Sequence, residues 1–167
     1  MANLVLPNLS YKIIGALFAV HREMGSALLE KHYQRSLAVQ FKHADLGFSE
    51  QVPVKLLFSS AVVGKYFLDF IVEDLVIVEI KAARILPSSS FKQTLAYLRE
   101  KNLPLGIVAN FRSISLRPVR VLNPSFKDCD LMEIDQRYIT PPVKIDQFDN
   151  IRMNSELIRK NSGINYV

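Results

Sequence analysis

A single cysteine, Cys129, occurs in the 167 residues. No internal disulfide can form, and with no catalytic histidine near it in sequence Cys129 reads as inert. An intracellular, cytoplasmic setting is the expectation. Long apolar runs are also missing: none approaches the ~20 residues of a transmembrane helix. The opening MANLVLPNLSYK lacks the basic start and cleavage site of a secretory signal, so no membrane partner is expected. There are no internal repeats, no low-complexity tracts and no glycine-rich phosphate loop. His21, His32 and His43 recur every eleven residues. With no cysteine or second close histidine beside any of them, they read as exposed helix positions and not as a zinc site.

What is present is a chain of 49% apolar residues, long enough to bury one core without disulfides or a structural metal. Its charge is uneven. Residues 1–122 hold 15 Lys and Arg against 9 Asp and Glu, a surplus of +6, and residues 123–167 hold 6 against 7, or −1. All the net positive charge lies in the first part, which suits a polyanionic partner.

The hydrophobic period divides the chain. Asn8 and Ser10 can cap a helix running to about Met24, with Ile13, Ile14, Leu17 and Val20 on one face. Gly25-Ser26 breaks it, and a second helix follows over about 28–43. The period then becomes two: 52–58, 63–72 and 75–83 read as a meander of strands. A helix over 91–101, a buried strand over 104–111 and another over 117–122 complete the order ααβββαββ. That order implies an α/β fold with one mixed central sheet flanked by helices. Residues 123–167 read as a C-terminal extension and not an independent domain, with a short edge strand at 130–134 and a helical turn at 154–160.

Within LDFIVEDLVIVEIKAA (68–83), Asp69, Glu79 and Lys81 occupy strand positions where Val and Ile belong. Strand alternation puts Phe67, Asp69 and Ile71 on one face, and Ile77, Glu79 and Lys81 on one face. The hairpin decides whether those faces coincide. A two-residue turn at Glu73-Asp74 sets Asp69 opposite Val78, whereas a three-residue loop or a bulge sets it opposite Glu79. Two readings follow: a partly buried ion pair of Lys81 with a carboxylate, or a cation site. Glu30 lies on the inward stripe of the second helix with Tyr33 and Leu37. It is either a rim carboxylate reaching water or a third acid near Asp69 and Glu79. In the second case each like pair at about 4 Å costs on the order of 4 kcal/mol at an effective dielectric of ~20. One ammonium cannot offset three such pairs, and a hard divalent ion such as Mg²⁺ or Mn²⁺ can. Gln93 and Tyr97, spaced i, i+4 on the third helix, can reach a water or phosphate oxygen, or be a surface amide and a core tyrosine.

Asp69, then Glu79-Ile80-Lys81, preceded by a helix carrying Glu30 and followed by one carrying Gln93-x-x-x-Tyr97, resembles the PD-(D/E)XK nuclease superfamily. More narrowly, SALLEKHYQRSLAVQF, GKYFLDFIVEDLVIVEIKA, QTLAYL and LGIVANF resemble the GxxExxY family within it, over roughly residues 10–122. Three positions depart from the family pattern: Ala27 stands for the motif glycine, Gln40 for an acid, and Arg112 for a glycine. The resemblance implies a restriction-endonuclease-like core over 1–122 and metal-dependent hydrolysis of phosphodiester bonds in DNA or RNA. It implies that Asp69, Glu79 and the Ile80 carbonyl hold Mg²⁺ or Mn²⁺, with Glu30 binding directly or through water. Lys81 would orient the attacking water or stabilise the transition state, while Gln93 and Tyr97 place the strand. Arg84, Lys92, Arg112, Arg117 and Arg120 are the expected contacts to backbone phosphates. One site per chain makes a homodimer one route to cutting both strands. The other reading is a non-catalytic nucleic-acid-binding or assembly module that keeps the nuclease fold.

Overall fold

Nine elements follow one another along the chain in the computed structural model, which describes residues 5–127 and 131–138. Helices α1 (Pro7–Met24) and α2 (Glu30–His43) precede the strands β1 (Phe48–Phe58), β2 (Ala61–Val72) and β3 (Val76–Lys81). Helix α3 (Ser88–Lys101), strands β4 (Leu105–Asn110) and β5 (Val119–Leu122) and helix α4 (Leu131–Gln136) complete the order. The five strands form one sheet in the order β1-β2-β3-β4-β5. All neighbours are antiparallel except β3 and β4, which run parallel through the α3 crossover. The expected ααβββαββ order and mixed sheet are therefore present.

The two faces of the sheet carry different covers. Phe70, Val72, Val76, Val78, Ile80, Leu105 and Ile107 pack with Leu9, Ile13, Leu17, Leu37 and Phe41 from α1 and α2. Fully burying each such side chain contributes about 1.5–3 kcal/mol. On the other face, Ile71 and Ile77 pack with Tyr97 and Leu98 of α3. Helix α3 lies close because Gly106 is beneath it: a Cβ there would come 2.5 Å from Thr94 Cγ2. No helix among the described residues is long and apolar enough to cross a membrane.

Three local expectations are corrected. Helix α1 begins at Pro7, and its cap is not Asn8 or Ser10. Asp135, buried and 127 residues away, accepts the backbone N–H of Asn8 and of Leu9 at 3.0 Å each. Two oxygens of one remote carboxylate thus fill the role of a local cap. Residues 131–136 form a helix and not the edge strand read from DLMEI. Finally, strict alternation along β2 fails: Leu68, not Phe67, joins Ile71 in the α3-side core, while Phe67 is exposed. In β1, Phe48 packs toward α1 and α2 whereas Val52 and Val54 pack toward α3. Both strands reverse faces across Gln51 and Asp69, and Gln51 takes a left-handed φ of 50°, which costs a non-glycine residue roughly 1–2 kcal/mol.

The start of the C-terminal extension is attached to the body. Asn123 is buried and donates to the carbonyls of Leu98 and Leu103 at the end of α3. The Tyr138 hydroxyl donates to Glu73 in the β2–β3 loop. Cys129 and the helical turn read at 154–160 lie outside the described residues.

Candidate active site

The β2–β3 connection is the three-residue loop Glu73-Asp74-Leu75, since Val72 pairs with Val76 and Phe70 with Val78. This register brings Asp69 opposite Glu79. The ladder does not continue to that pair: β2 joins β3 only from Phe70 onward and lies apart from it before that residue, while β3 stays paired with β4 as far as Lys81 and Asn110. The gap leaves the Ile80 N–H without a strand partner, and Asp69 Oδ2 accepts it at 2.9 Å. A carboxylate is thus placed between splaying strands by a backbone donor that the splay has freed. The location is the C-terminal end of the parallel pair, where α/β sheets commonly bind ligands.

Glu79 lies on the α3 face of β3. Its Oε1 is 3.5 Å from Lys81 Nζ. Its Oε2 is buried with no hydrogen-bond partner, an arrangement that costs about 1–3 kcal/mol or more for a charged group. Burial, then the charge of Asp69, pushes the Glu79 carboxyl up to about 7, against the pull of Lys81. Asp69 is also raised, first by burial and further by Glu30, while the Ile80 N–H and Lys81 oppose the shift. Lys81 Nζ donates to the Ile80 carbonyl at 3.1 Å. One ammonium therefore touches both the Glu79 carboxylate and the Ile80 oxygen.

Glu30 opens α2 and stands slightly apart. Its Oε2 accepts the Ala82 N–H at 3.1 Å, just beyond β3. Among the described residues no three His, Cys, Asp or Glu side chains gather closely enough to hold a metal. The three acids do not converge as one cluster: Asp69 and Glu79 are adjacent, and Glu30 acts on Asp69 through its charge. Gln93 donates to the Tyr97 hydroxyl at 2.7 Å. Tyr97 is pushed up to about 12, chiefly by burial, with Glu79 adding to the shift, so this pair borders the same site. Arg84, Lys92, Arg112 and Arg117 are exposed. Arg120 is placed differently: its guanidinium donates to the Val5 carbonyl beside α1.

Two residues at the candidate site carry no signal of their place in the sequence alone. Gln51, opposite Asp69, directs its amide toward Asp69 Oδ1 at 3.4 Å; nothing in its local pattern marks it. Asn110 ends β4 and clamps the segment after β3, accepting from the Ala83 N–H at 3.1 Å and donating to the Ala83 carbonyl at 2.7 Å. The Phe111 N–H then donates to the Lys81 carbonyl at 2.7 Å. The Asn-Phe pair was visible in LGIVANF, but its clamping role required the parallel register. Tyr33 steadies the other wall. Its hydroxyl accepts the Leu28 N–H and donates to the Gly25 carbonyl, and its ring stacks on Phe111 at 4.6 Å. Of the histidines, only His43 is exposed and the other two are half-buried; His21 bonds through Nε2 to the Ser113 carbonyl at 2.8 Å.

A family model of the PD-(D/E)XK nuclease superfamily matches residues 7–121, from α1 into β5. The chain belongs to the PD-(D/E)XK nuclease superfamily. Comparison with curated proteins and with solved structures returns no match. Membership in the PD-(D/E)XK superfamily points to a nuclease-type function on a nucleic-acid substrate, and its nucleases usually use divalent metal ions. The residues present fit such an ion. Two adjacent carboxylates and a backbone carbonyl are the hard oxygen donors it takes, and the buried Glu79 Oε2 lacks any other partner.

Proposed function

We propose that this protein is a divalent-metal-dependent nuclease of the GxxExxY family that hydrolyses phosphodiester bonds of DNA, with RNA as the other substrate to test. The single observation that carries the reading is the orphaned Glu79 carboxylate oxygen, buried beside Asp69 and within reach of Lys81. A fold selected for stability alone would place an apolar residue there.

In this reading Asp69, Glu79 and the Ile80 carbonyl hold Mg²⁺ or Mn²⁺, and Glu30 supports it directly or through a water. When bound, such an ion supplies charge stabilisation at the phosphate and lowers the pKa of a water. Asp69 is fixed by the Ile80 N–H, so its second oxygen is presented with little rotational freedom. Lys81 has its ammonium already at the donor set, where it orients a water or meets charge developing on the phosphate. Gln93 and Tyr97 hold the strand on the α3 side. Arg84, Lys92, Arg112 and Arg117 supply phosphate contacts, and Arg120 acts through its bond to the Val5 carbonyl. Asn110 positions the backbone that carries Lys81. Cutting both strands of a duplex takes two copies or two events.

The test is a panel of labelled single- and double-stranded DNA and RNA, incubated with Mg²⁺, Mn²⁺ or EDTA. Cleavage with either metal and none with EDTA is expected. A second reading draws on Lys81 seated at Glu79 and the Ile80 carbonyl, with Gln51 at Asp69: these donors already occupy one oxygen of each acid without a metal, as a non-catalytic binding module would need. Binding without cleavage of any substrate selects that reading.

A further inference from the structure

Strands β1 and β2 extend past the core. The α3-side packing ends near Val54 and Leu68. Beyond it, Leu56, Phe58, Val62, Val63, Tyr66 and Phe67 are exposed, Phe58 to 72% and Phe67 to 55%. From Pro53 to Phe58 this ribbon reaches about 17 Å, at ~3.4 Å per residue. Residues 51–68 contain Lys55 and Lys65 but no Asp or Glu. The two lysines are paired directly across the strands, where like charges repel and neither has an acid of the ribbon to answer it. The ribbon is continuous with the candidate active site, because Tyr66 tilts against Tyr97 with ring centroids 5.8 Å apart.

We propose that the β1–β2 ribbon is a binding arm for single-stranded nucleic acid. The register puts Tyr66 and Phe58 on the α3-side face with Val54, and Phe67 with Lys55 and Lys65 on the opposite face. A strand passing round the open β1 edge stacks bases on Phe58 and Tyr66 and then on Phe67, where its phosphates meet the two lysines. The proposal rests on the nuclease reading for the fate of the strand and not for its capture. The opposed lysines call for a polyanion. The exposed rings call for base faces, which a duplex keeps inside its stack and a single strand offers. Reading a duplex groove takes polar side chains along the ribbon, and this one presents mainly apolar ones. A second copy is a poor occupant, since it would bring four lysines together with no acid from either ribbon.

The experiment measures fluorescence anisotropy of a labelled oligothymidylate of about twelve nucleotides, within the ~4–16 typical of such sites. Its uridine counterpart and a mixed-sequence duplex are the comparison arms, all in EDTA. The wild type should bind either single strand more tightly than the duplex. Phe58→Ala/Phe67→Ala should weaken single-strand binding on the order of a hundredfold, about tenfold per stacked base. Lys55→Glu/Lys65→Glu should weaken it too and flatten the slope of log affinity against log salt by about 1.4. All four side chains are exposed, so melting temperatures should stay near wild type. Unchanged affinity in both double variants overturns the proposal, as does preference for the duplex. So does a concentration-dependent dimer that Phe58→Ala/Phe67→Ala dissociates without changing oligonucleotide affinity. Glu79→Ala separates the two ideas: it should bind in EDTA as the wild type does, and cut nothing in Mg²⁺. A wild type that binds as described and never cleaves refutes the nuclease and leaves the arm standing. Cleavage with unaltered KM in the arm variants refutes the arm alone.

Discussion

Replacing Glu79 by Gln should stabilise the metal-free protein at alkaline pH and leave it nearly unchanged in acid. The reason lies in the surroundings of one carboxyl. Burial and the neighbouring Asp69 raise Glu79 from 4.5 to about 7. A carboxyl with a raised folded pKa binds its proton more tightly in the native state than in the unfolded chain. Its favourable contribution is therefore fully present below the unfolded pKa, falls as pH rises from about 4.5, and is gone above about 7. At 1.36 kcal/mol per pKa unit, the shift corresponds to about 3 kcal/mol between pH 4 and pH 8. The Glu79 side chain is only 12% exposed, so solvent screening removes little of this. Gln keeps the shape and never ionises. Lys81 loses its ion-pair partner, but it is 25% exposed and still donates to the Ile80 carbonyl, so that loss is small. Urea unfolding in EDTA at pH 4.5 and pH 8 measures the effect. The variant should exceed the wild type by about 3 kcal/mol at pH 8, equivalent to a rise of roughly 6–12 °C in Tm for a chain of this size. At pH 4.5 the two should match within ~0.5 kcal/mol. Equal stability at pH 8, or a loss in the variant at both pH values, would refute the claim that Glu79 ionises at a cost.

The other expectations concern the scaffold and the ion. Asp135→Ala removes both acceptors for the N-terminus of α1 and should cost about 2 kcal/mol by urea titration; a chain ending before Leu131 should lose at least as much, and full stability in either would show the remote cap to be idle. Gly106→Ala should cost about 1–3 kcal/mol through its clash with Thr94 Cγ2, and Thr94→Ser in the same chain, which deletes that methyl, should restore much of it. Tyr33→Phe leaves the Leu28 N–H and the Gly25 carbonyl without their partner and should lower stability by about 1–2 kcal/mol. Mg²⁺ or Mn²⁺ at a hundred times its Kd should stabilise the wild type by about 2.7 kcal/mol in thermal melts and stabilise Glu79→Gln much less.

How much of this was legible depended on the range of the interaction involved. The order of elements followed from period alone, because the 3.6 and 2.0 repeats are local properties. The Asp69–Glu79 juxtaposition hung on one turn residue: with Leu75 in the loop the two acids meet, and without it they part. Composition of Glu73-Asp74-Leu75 left both possible. The reversal of faces at Gln51 was hidden because a left-handed residue inside a strand contradicts the alternation used to read it. Glu30 could be a rim carboxylate or a third acid by its helix position alone, and its partner is the Ala82 N–H and not a shared cluster. Arg120 counted as a free cation in sequence, since nothing near it announced the Val5 carbonyl. Asp135 lies just after 130–134, which reads as a short edge strand. Its role appeared only once α4 was seen packed beside the start of α1.

The most direct measurement is single-turnover cleavage of the best substrate from the panel by wild type, Asp69→Asn and Glu79→Gln, each at saturating Mg²⁺ and pH 8. Both substitutions keep side-chain volume and fold while removing one charge from the donor set. The account predicts cleavage by the wild type and a loss of at least a hundredfold in each variant, with binding of the same substrate in EDTA unchanged. Cleavage by either variant at the wild-type rate would contradict it.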